Sequence, residues 1–257
     1  MNSRSATESI DPAEVSRFAA MAGQWWDANG PMRPLHRLNP VRLGYIKARI
    51  ADHFGRDPSG PKALEGLRIL DIGCGAGLVS EPLCRMGAAV TGVDPSSEVI
   101  AAARLHARDG DLTIDYRATT AEALVADGAR FDVVLMLEVV EHVADVPSFV
   151  ATVGALARPG GLVVASTINR TLKAFALAIV GAEYVLRWLP PGTHSYDKLV
   201  RPDELAAAFT EAGLDPVDET GVMYVPVADR FRLTSDMDVN YMMVAARPQG
   251  APSESRL

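Results

Sequence analysis

Little in this sequence can staple it together. Cysteine occurs twice, at Cys74 and Cys84, and two thiols so near in the chain cannot brace distant segments, which excludes a disulfide framework. Positive charge is in deficit: 25 Lys and Arg against 32 Asp and Glu leave a net charge of −7 and a pI near 5.3. That argues against nonspecific binding to nucleic acid, which rests on neutralising phosphates. Long apolar runs are missing too. The best candidate, 174–182, is bounded by Lys173 and Glu183, well short of the ~20 residues a membrane span needs. The first eighteen residues, MNSRSATESIDPAEVSRF, carry acids and no apolar core, so they do not read as a secretory signal. These absences predict a cytoplasmic chain. Its 257 residues, with 48% hydrophobic and 22% charged, follow ordinary globular usage. A chain of this size buries roughly 70–75% of its unfolded surface, so its core needs no staples.

Short β-rich runs alternate with helical stretches between 67 and 168. The strands read Arg68–Ile72, Ala88–Val93, Thr113–Tyr116, Phe131–Leu137 and Leu162–Ile168, with Ala-rich helical segments between them at Ser97–Arg108 and Val146–Ala157. Such alternation implies βαβ units and a parallel sheet, hence an α/β fold. Ahead of it, 1–66 is polar and mixed, with aromatics at Phe18, Trp25, Trp26 and Tyr45. Asn39-Pro40 suggests a turn before a helix that begins near Val41. Behind it come an apolar helical insert and loop over 169–200, a helix from Pro202 to Ala212 closed by Gly213, and strands at Pro216–Gly221 and Val239–Ala246. The stretch 248–257 reads as a disordered tail. The whole chain, 1–257, is expected to form one domain.

The most informative stretch is Leu67-Arg-Ile-Leu-Asp71-Ile-Gly73-Cys-Gly75-Ala-Gly77, an apolar strand running into a glycine-rich turn with a helix after Val79. Glycines let a backbone turn tightly and approach a ligand closely, and a strand before with a helix after is the context such a loop needs. The next strand ends at Asp94, where an acid can accept hydrogen bonds from the two hydroxyls of a ribose. The spacing is G-x-G-x-G rather than the G-x-G-x-x-G of dinucleotide sites, and Asp71 before it suits a ligand that bears an amino group. A nicotinamide dinucleotide site and a structural turn without ligand are the alternatives. Cys74 reads as a small filler within the loop rather than as a nucleophile, and Cys84 as core.

The strand Phe131–Leu137 ends at Glu138-Val-Val-Glu141-His142. Active sites of open α/β sheets lie beyond the carboxyl ends of the strands, so these three side chains are candidates for chemistry. His142 could serve as general base on a phenol, whose ordinary pKa near 10 keeps it protonated at neutral pH. Alternatively, Glu138, Glu141 and His142 could hold Mg2+ or another divalent cation, or His142 could simply brace the loop. His194 in a Pro-Gly-Thr-His loop and, less so, His36 could face a substrate, whereas His53 and His106 look like surface helix positions.

Asp71-Ile-Gly-Cys-Gly-Ala-Gly77 and the acid after the next strand resemble the first motifs of class I S-adenosylmethionine-dependent methyltransferases. That resemblance implies a Rossmann-like, mostly parallel sheet of seven strands whose last is antiparallel, helices on both faces, and S-adenosylmethionine across the strand ends. A narrower resemblance rests on Trp25-Trp26-Asp27, on the pattern L-H-x-x-N-P-x-R-L-x-Y-I from Leu35 to Ile46, on Glu138-Val-Val-Glu141-His142-Val143, on Ser166-Thr167-Ile168-Asn169-Arg170, on Gly181-Ala182-Glu183-Tyr184, on Pro191-Gly192-Thr193-His194 and on Asp238-Val239-Asn240-Tyr241. Together, over roughly 15–246, these look like the bacterial ubiquinone-biosynthesis O-methyltransferases.

That family methylates a 2-polyprenyl-6-hydroxyphenol and a 3-demethylubiquinol. The resemblance places Arg42, Asp71, Gly73, Gly75, Gly77, Asp94 and Leu137 at the cofactor, with Arg42 on its carboxylate and Leu137 against its adenine. It supports Glu138, Glu141 and His142, the candidate catalytic residues, as metal ligands. Because a polyprenyl chain is insoluble, it also implies peripheral contact with the inner membrane through the apolar stretch 172–189, including Trp188, and a place in a ubiquinone-biosynthesis complex, while the aromatics ahead of the core suggest that 1–66 forms a helical lid. A methyltransferase for another small catechol or phenol, or a non-catalytic S-adenosylmethionine-binding scaffold, are the rival readings.

Overall fold

A computed structural model describes residues 15–16, 19–176 and 196–250. Within them the chain order is α1 (Arg33–His53), β1 (Arg68–Ile72), α2 (Ser80–Arg85), β2 (Ala89–Asp94), α3 (Ser97–Asp109), β3 (Asp115–Ala118), α4 (Ala121–Ala126), β4 (Phe131–Leu137), α5 (Val146–Leu156), β5 (Ala157–Ile168), α6 (Pro202–Glu211), β6 (Asp215–Val225), β7 (Arg230–Thr234) and β8 (Asn240–Ala246). The strands form one sheet in the order β3-β2-β1-β4-β5-β8-β6-β7. β1 to β5 pair in parallel, whereas β8 runs antiparallel to both β5 and β6. The expected antiparallel last strand is therefore present. The sheet has eight strands rather than seven, because Arg230–Thr234 pairs antiparallel with β6 at the outer edge.

Burial on both faces explains why β1 and β4 are mostly apolar, interrupted inside only by Asp71 and Asp132, as parallel strands covered on two sides require. One face carries α4, α5 and α6, whose Leu124, Phe149, Val153, Leu205 and Phe209 join Leu70, Val134, Met136, Val163 and Tyr241. The other packs α1, through Leu38, Tyr45, Ile46 and Ile50, on Ile69, Val133, Leu135 and Val164. Fully burying an Ile contributes about 1.5–3 kcal/mol, so Ile46 and Ile50, both without exposed surface, fix α1 to the sheet.

Helix starts follow their capping chemistry. Ser96 Oγ accepts from Val99 N ahead of α3, Thr120 Oγ1 from Ala123 N ahead of α4, and Asp145 Oδ1 from Ser148 N ahead of α5. Gly213, at φ 73, follows α6 as expected.

α1 differs from expectation. It starts at Arg33 and keeps Pro40 inside, instead of turning at Asn39-Pro40 and starting near Val41. A proline inside a helix removes one hydrogen bond and usually kinks or breaks it. Here tertiary contacts hold the helix through that position: Asn39, 7% exposed, donates from Nδ2 to Leu78 O at 3.1 Å and accepts from Arg42. α1 is thus part of the core, and what lies over the glycine loop is the segment before it.

Candidate active site

The glycine loop leaves β1 on residues that bend the chain leftward: Gly73, Gly75 and Gly77 have φ 67, 54 and 93. At Gly75 the reason is a close approach as well as a dihedral. A Cβ there would stand 2.2 Å from Cζ3 of Trp25, so the indole rests directly on the backbone. At Gly77 a Cβ would meet Tyr116 Oη at 2.1 Å. Next door, Trp26 Nε1 donates to Ala76 O at 3.0 Å. Its ring stacks on His106 with centroids 3.5 Å apart and an interplanar angle of 2°. His106 Nδ1 in turn bonds Glu81 Oε1 at 2.6 Å. His106 is therefore not a bare surface position, because it ties the front segment to α2. His36 Nε2 lies 2.9 Å from Trp25 O, which places it in the same front layer.

Asp71, 2% exposed, accepts from Ser80 Oγ at 2.6 Å. Burial pushes its carboxyl up to about 6, against the opposing pull of the Ser80 bond and the Arg42 charge. Asp94 accepts from Ser96 N at 2.9 Å and from Gly75 N at 3.3 Å, so the second strand's acid is bonded to the loop itself. Burial raises its pKa as well, with those two backbone bonds opposing. Cys74, 6% exposed, has its thiol pushed well up by burial and by Asp71 and Asp94, as suits a filler.

Arg42 points from α1 into this acidic ground. It is 3% exposed, and its Nη1 stands 3.6 Å from Glu138 Oε1. Burial lowers its pKa while Glu138, Asp71 and Glu141 hold it up. Glu138 has φ 56, donates from N to Ser166 O at 2.8 Å, and accepts from Ser166 Oγ at 2.6 Å. Glu141, 3% exposed, accepts on Oε2 from Thr167 Oγ1 at 2.8 Å. Burial first and the Glu138 charge second raise its pKa well above the carboxylate range. His142 is half-buried in the short turn Val140–His142, with its N–H bonded to Val139 O at 2.9 Å. Leu137, buried at the end of β4, pairs with Ser166.

The seven expected cofactor residues thus line one end of the sheet, where β1, β2 and β4 finish, and Arg42 couples them to Glu138 and Glu141. The expected metal set is not gathered in the same way. Among the described residues no group of three or more His, Cys, Asp and Glu side chains is placed to hold a metal ion. His194 and most of 172–189 lie outside the described residues.

For S-adenosylmethionine the donor set fits. Arg42 Nε and Nη1 are buried without a hydrogen-bond partner, and a ligand carboxylate would satisfy them. Asp71 is a carboxylate that burial leaves hard to ionise, as a binder of an ammonium group can be.

A family model described as a methyltransferase domain matches residues 42–219. Among curated proteins, the ubiquinone biosynthesis O-methyltransferase of Chelativorans sp. (strain BNC1) is 59% identical over 239 residues, covering 93% of this chain and 94% of that one. That of Sinorhizobium medicae (strain WSM419) is 57% identical over 246 residues, covering 96% and 99%. The chain belongs to the ubiquinone-biosynthesis O-methyltransferase family. As a member of this family it is a methyltransferase that uses S-adenosylmethionine. Among solved structures, magnesium protoporphyrin IX methyltransferase from Synechocystis PCC 6803 with bound S-adenosylhomocysteine shares the fold, at a TM-score of 0.56 and 21% identity, covering 80% of this chain and 85% of that one.

Several side chains of this O-methyltransferase that shape the site were given no role at it from the sequence: Ser80 was not named, and Asn39, Ser166 and Thr167 entered only as parts of longer strings. Asn39 had a readable signal, since it stands three positions before Arg42, the spacing of neighbours on a helix face. Ser166 and Thr167 meet partners 28 and 26 positions away, so the string that contains them does not say what they hold.

Proposed function

We propose that this chain methylates a phenolic oxygen of a polyprenylated phenol or quinol, the 2-polyprenyl-6-hydroxyphenol and the 3-demethylubiquinol of ubiquinone biosynthesis. The observation that carries the reading is the buried Arg42, with two unsatisfied donors, set between the glycine loop and the Glu138–Glu141 turn. It links a place for the cofactor to a place for acid–base work. Arg42 holds the cofactor's carboxylate, Asp71 its ammonium, Asp94 the ribose hydroxyls, and Leu137 the adenine face. Gly73, Gly75 and Gly77 let the backbone come close. When bound, S-adenosylmethionine supplies an electrophilic methyl group on a sulfonium.

The chain's own residues then have two tasks. They hold the phenolic oxygen in line with that methyl, the larger contribution, and they take the phenolic proton, for which His142 Nδ1 or Nε2 is the base. The new C–O bond forms as the C–S bond gives its electron pair to sulfur, so the products are a methyl ether and S-adenosylhomocysteine. Glu138 fixes Arg42, and Glu141 adjoins His142.

The stretch 172–189 contacts the inner membrane peripherally, where an insoluble prenyl chain is found. Leu172 and Phe175, 80% and 42% exposed at its start, support this. Among the described residues no helix is long and apolar enough to cross a membrane. Methylation of a short-chain 3-demethylubiquinol, with EDTA and with added Mg2+, tests the reaction and the role of metal together. No product under either condition refutes the reading. Sedimentation with anionic vesicles tests the membrane contact, and unchanged binding by Trp188→Ala speaks against it.

A further inference from the structure

At the carboxyl end of β5 two buried oxygens lack a hydrogen-bond partner: Asn169 Oδ1 and Glu141 Oε1. Asn169 is 7% exposed and Glu141 3%. A buried acceptor without a donor is costly, and each one in a native fold points to a water, a ligand or a catalytic role.

The amide of Asn169 is fixed by its other end. Nδ2 donates to Met237 O at 2.9 Å, its backbone N donates to Val239 O at 2.7 Å, and its carbonyl accepts from Thr171 N at 3.0 Å. With the nitrogen end bonded, the oxygen end is held in the unpartnered position and cannot turn away. Thr167, two residues earlier, carries the Glu141 carboxyl on its hydroxyl. Residues two apart on an extended chain share a face, so Asn169 and Glu141 stand on the same face of the strand end. Ser166, on the opposite face, carries Glu138. One strand end therefore bears Glu138 on one side and two unsatisfied oxygens on the other.

The two phenols named under Proposed function share one feature. Each has a second hydroxyl ortho to the oxygen that is methylated. We propose that Asn169 Oδ1 accepts a hydrogen bond from that neighbouring hydroxyl, with Glu141 Oε1 facing the same group, and so sets which oxygen meets the methyl donor. Asn169 is on this view a positioning residue for an ortho-dihydroxy ring. The inference rests on the reading of the chain as a phenol methyltransferase.

The test uses the full chain loaded with S-adenosylhomocysteine. Affinity is measured for a short-chain 2-alkyl-6-hydroxyphenol and for the 3-alkylphenol that lacks the neighbouring hydroxyl, alongside methylation of each with S-adenosylmethionine. Asn169→Ala should weaken the dihydroxy compound by roughly ten- to a hundred-fold and leave the monophenol within about two-fold. Asn169→Ser, whose short side chain withdraws the amide oxygen while keeping a polar group near Met237 O, should lose the selectivity in the same direction, and it serves as the variant of record if Asn169→Ala does not fold. An equal loss on both phenols, or an unchanged ratio in Asn169→Ala, overturns the proposal and leaves Asn169 a structural or water-binding residue. In Asn169→Ser, an unchanged ratio also counts against it. Wild-type protein that methylates neither phenol sinks the functional reading itself, a result distinct from either of these.

Discussion

Cofactor affinity should fall with acid in a way that Asp71 sets. Its carboxyl titrates at about 6 in the ligand-free fold. If the ligand ammonium is held only by the ionised form, apparent affinity scales as the ionised fraction. Between pH 7 and pH 5 that fraction drops roughly ten-fold, or about 1.4 kcal/mol of binding free energy. Neither S-adenosylmethionine nor S-adenosylhomocysteine titrates in that window near its ammonium, so the slope belongs to the protein. The sign for stability is opposite. A carboxyl whose folded pKa is raised stabilises the fold most when protonated, below its ordinary value near 4, and that contribution is lost as pH rises through 6. The ionised, ligand-free fold therefore carries a penalty of about 3 kcal/mol at pH 7, which a bound ammonium relieves. Calorimetric titration with S-adenosylhomocysteine at pH 5, 6 and 7, in buffers of differing ionisation enthalpy, should show proton release on binding that grows as pH falls and reaches its half-way point near 6. Ser80→Ala removes a 2.6 Å bond to the carboxylate and should move that midpoint upward, toward 7. Asp94 contributes a parallel but separate slope, since Asp71→Asn leaves it in place. Affinity that is flat from pH 5 to 7, or a midpoint that ignores Ser80→Ala, would refute this account of Asp71.

Three further outcomes are expected. Gly75→Ala, at φ 54 with a Cβ 2.2 Å from Trp25, should cost about 1–3 kcal/mol of thermal stability and most cofactor affinity; adding Trp25→Ala should return only the steric share, which a double-mutant cycle measures. Glu138→Ala removes the ion-pair partner of the buried Arg42 guanidinium and leaves it the Asn39 bond, so it should lose about 1–3 kcal/mol, read from chemical denaturation, with wild-type stability as the contrary result. Trp26→Ala and His106→Ala should show a coupling of about 0.5–1.5 kcal/mol from their stacked rings, and additive losses would mean that the stack does not hold the front segment down.

Legibility in the sequence followed the range of the forces involved. β1 and β4 were read with their exact bounds because burial on both faces writes a predominantly apolar, β-branched run, broken only by Asp71 and Asp132. β7 was not, since Arg230-Phe-Arg-Leu-Thr is short and polar, and only Phe231 packs inward. The start of α1 was misplaced because a local rule about Asn-Pro was overruled by Asn39 reaching Leu78, 39 positions away. The glycine loop, its two acids and the Glu138–His142 turn lie in contiguous strings and were legible as candidates. The partners that hold those acids, Ser80, Ser166 and Thr167, belong to other elements, so only folding brings them together. The layering of Trp25 on Gly75 has the same origin.

The eighth strand has a consequence for how the sheet ends. β6 runs for 11 residues, and without β7 it would offer a long row of unpaired amides to any other chain. β7 covers Gly221–Val225 and presents Arg230 and Arg232 outward, both exposed. The uncovered part of β6 carries Asp215, Pro216, Asp218 and Glu219, with a register break between Pro216 and Asp218. Charge, proline and a bulge are the devices that stop a sheet edge from recruiting further strands. At the far edge β3 is only four residues long and carries Arg117. Both margins of the sheet are thus closed to strand addition, a protection against edge-to-edge aggregation that is independent of catalysis.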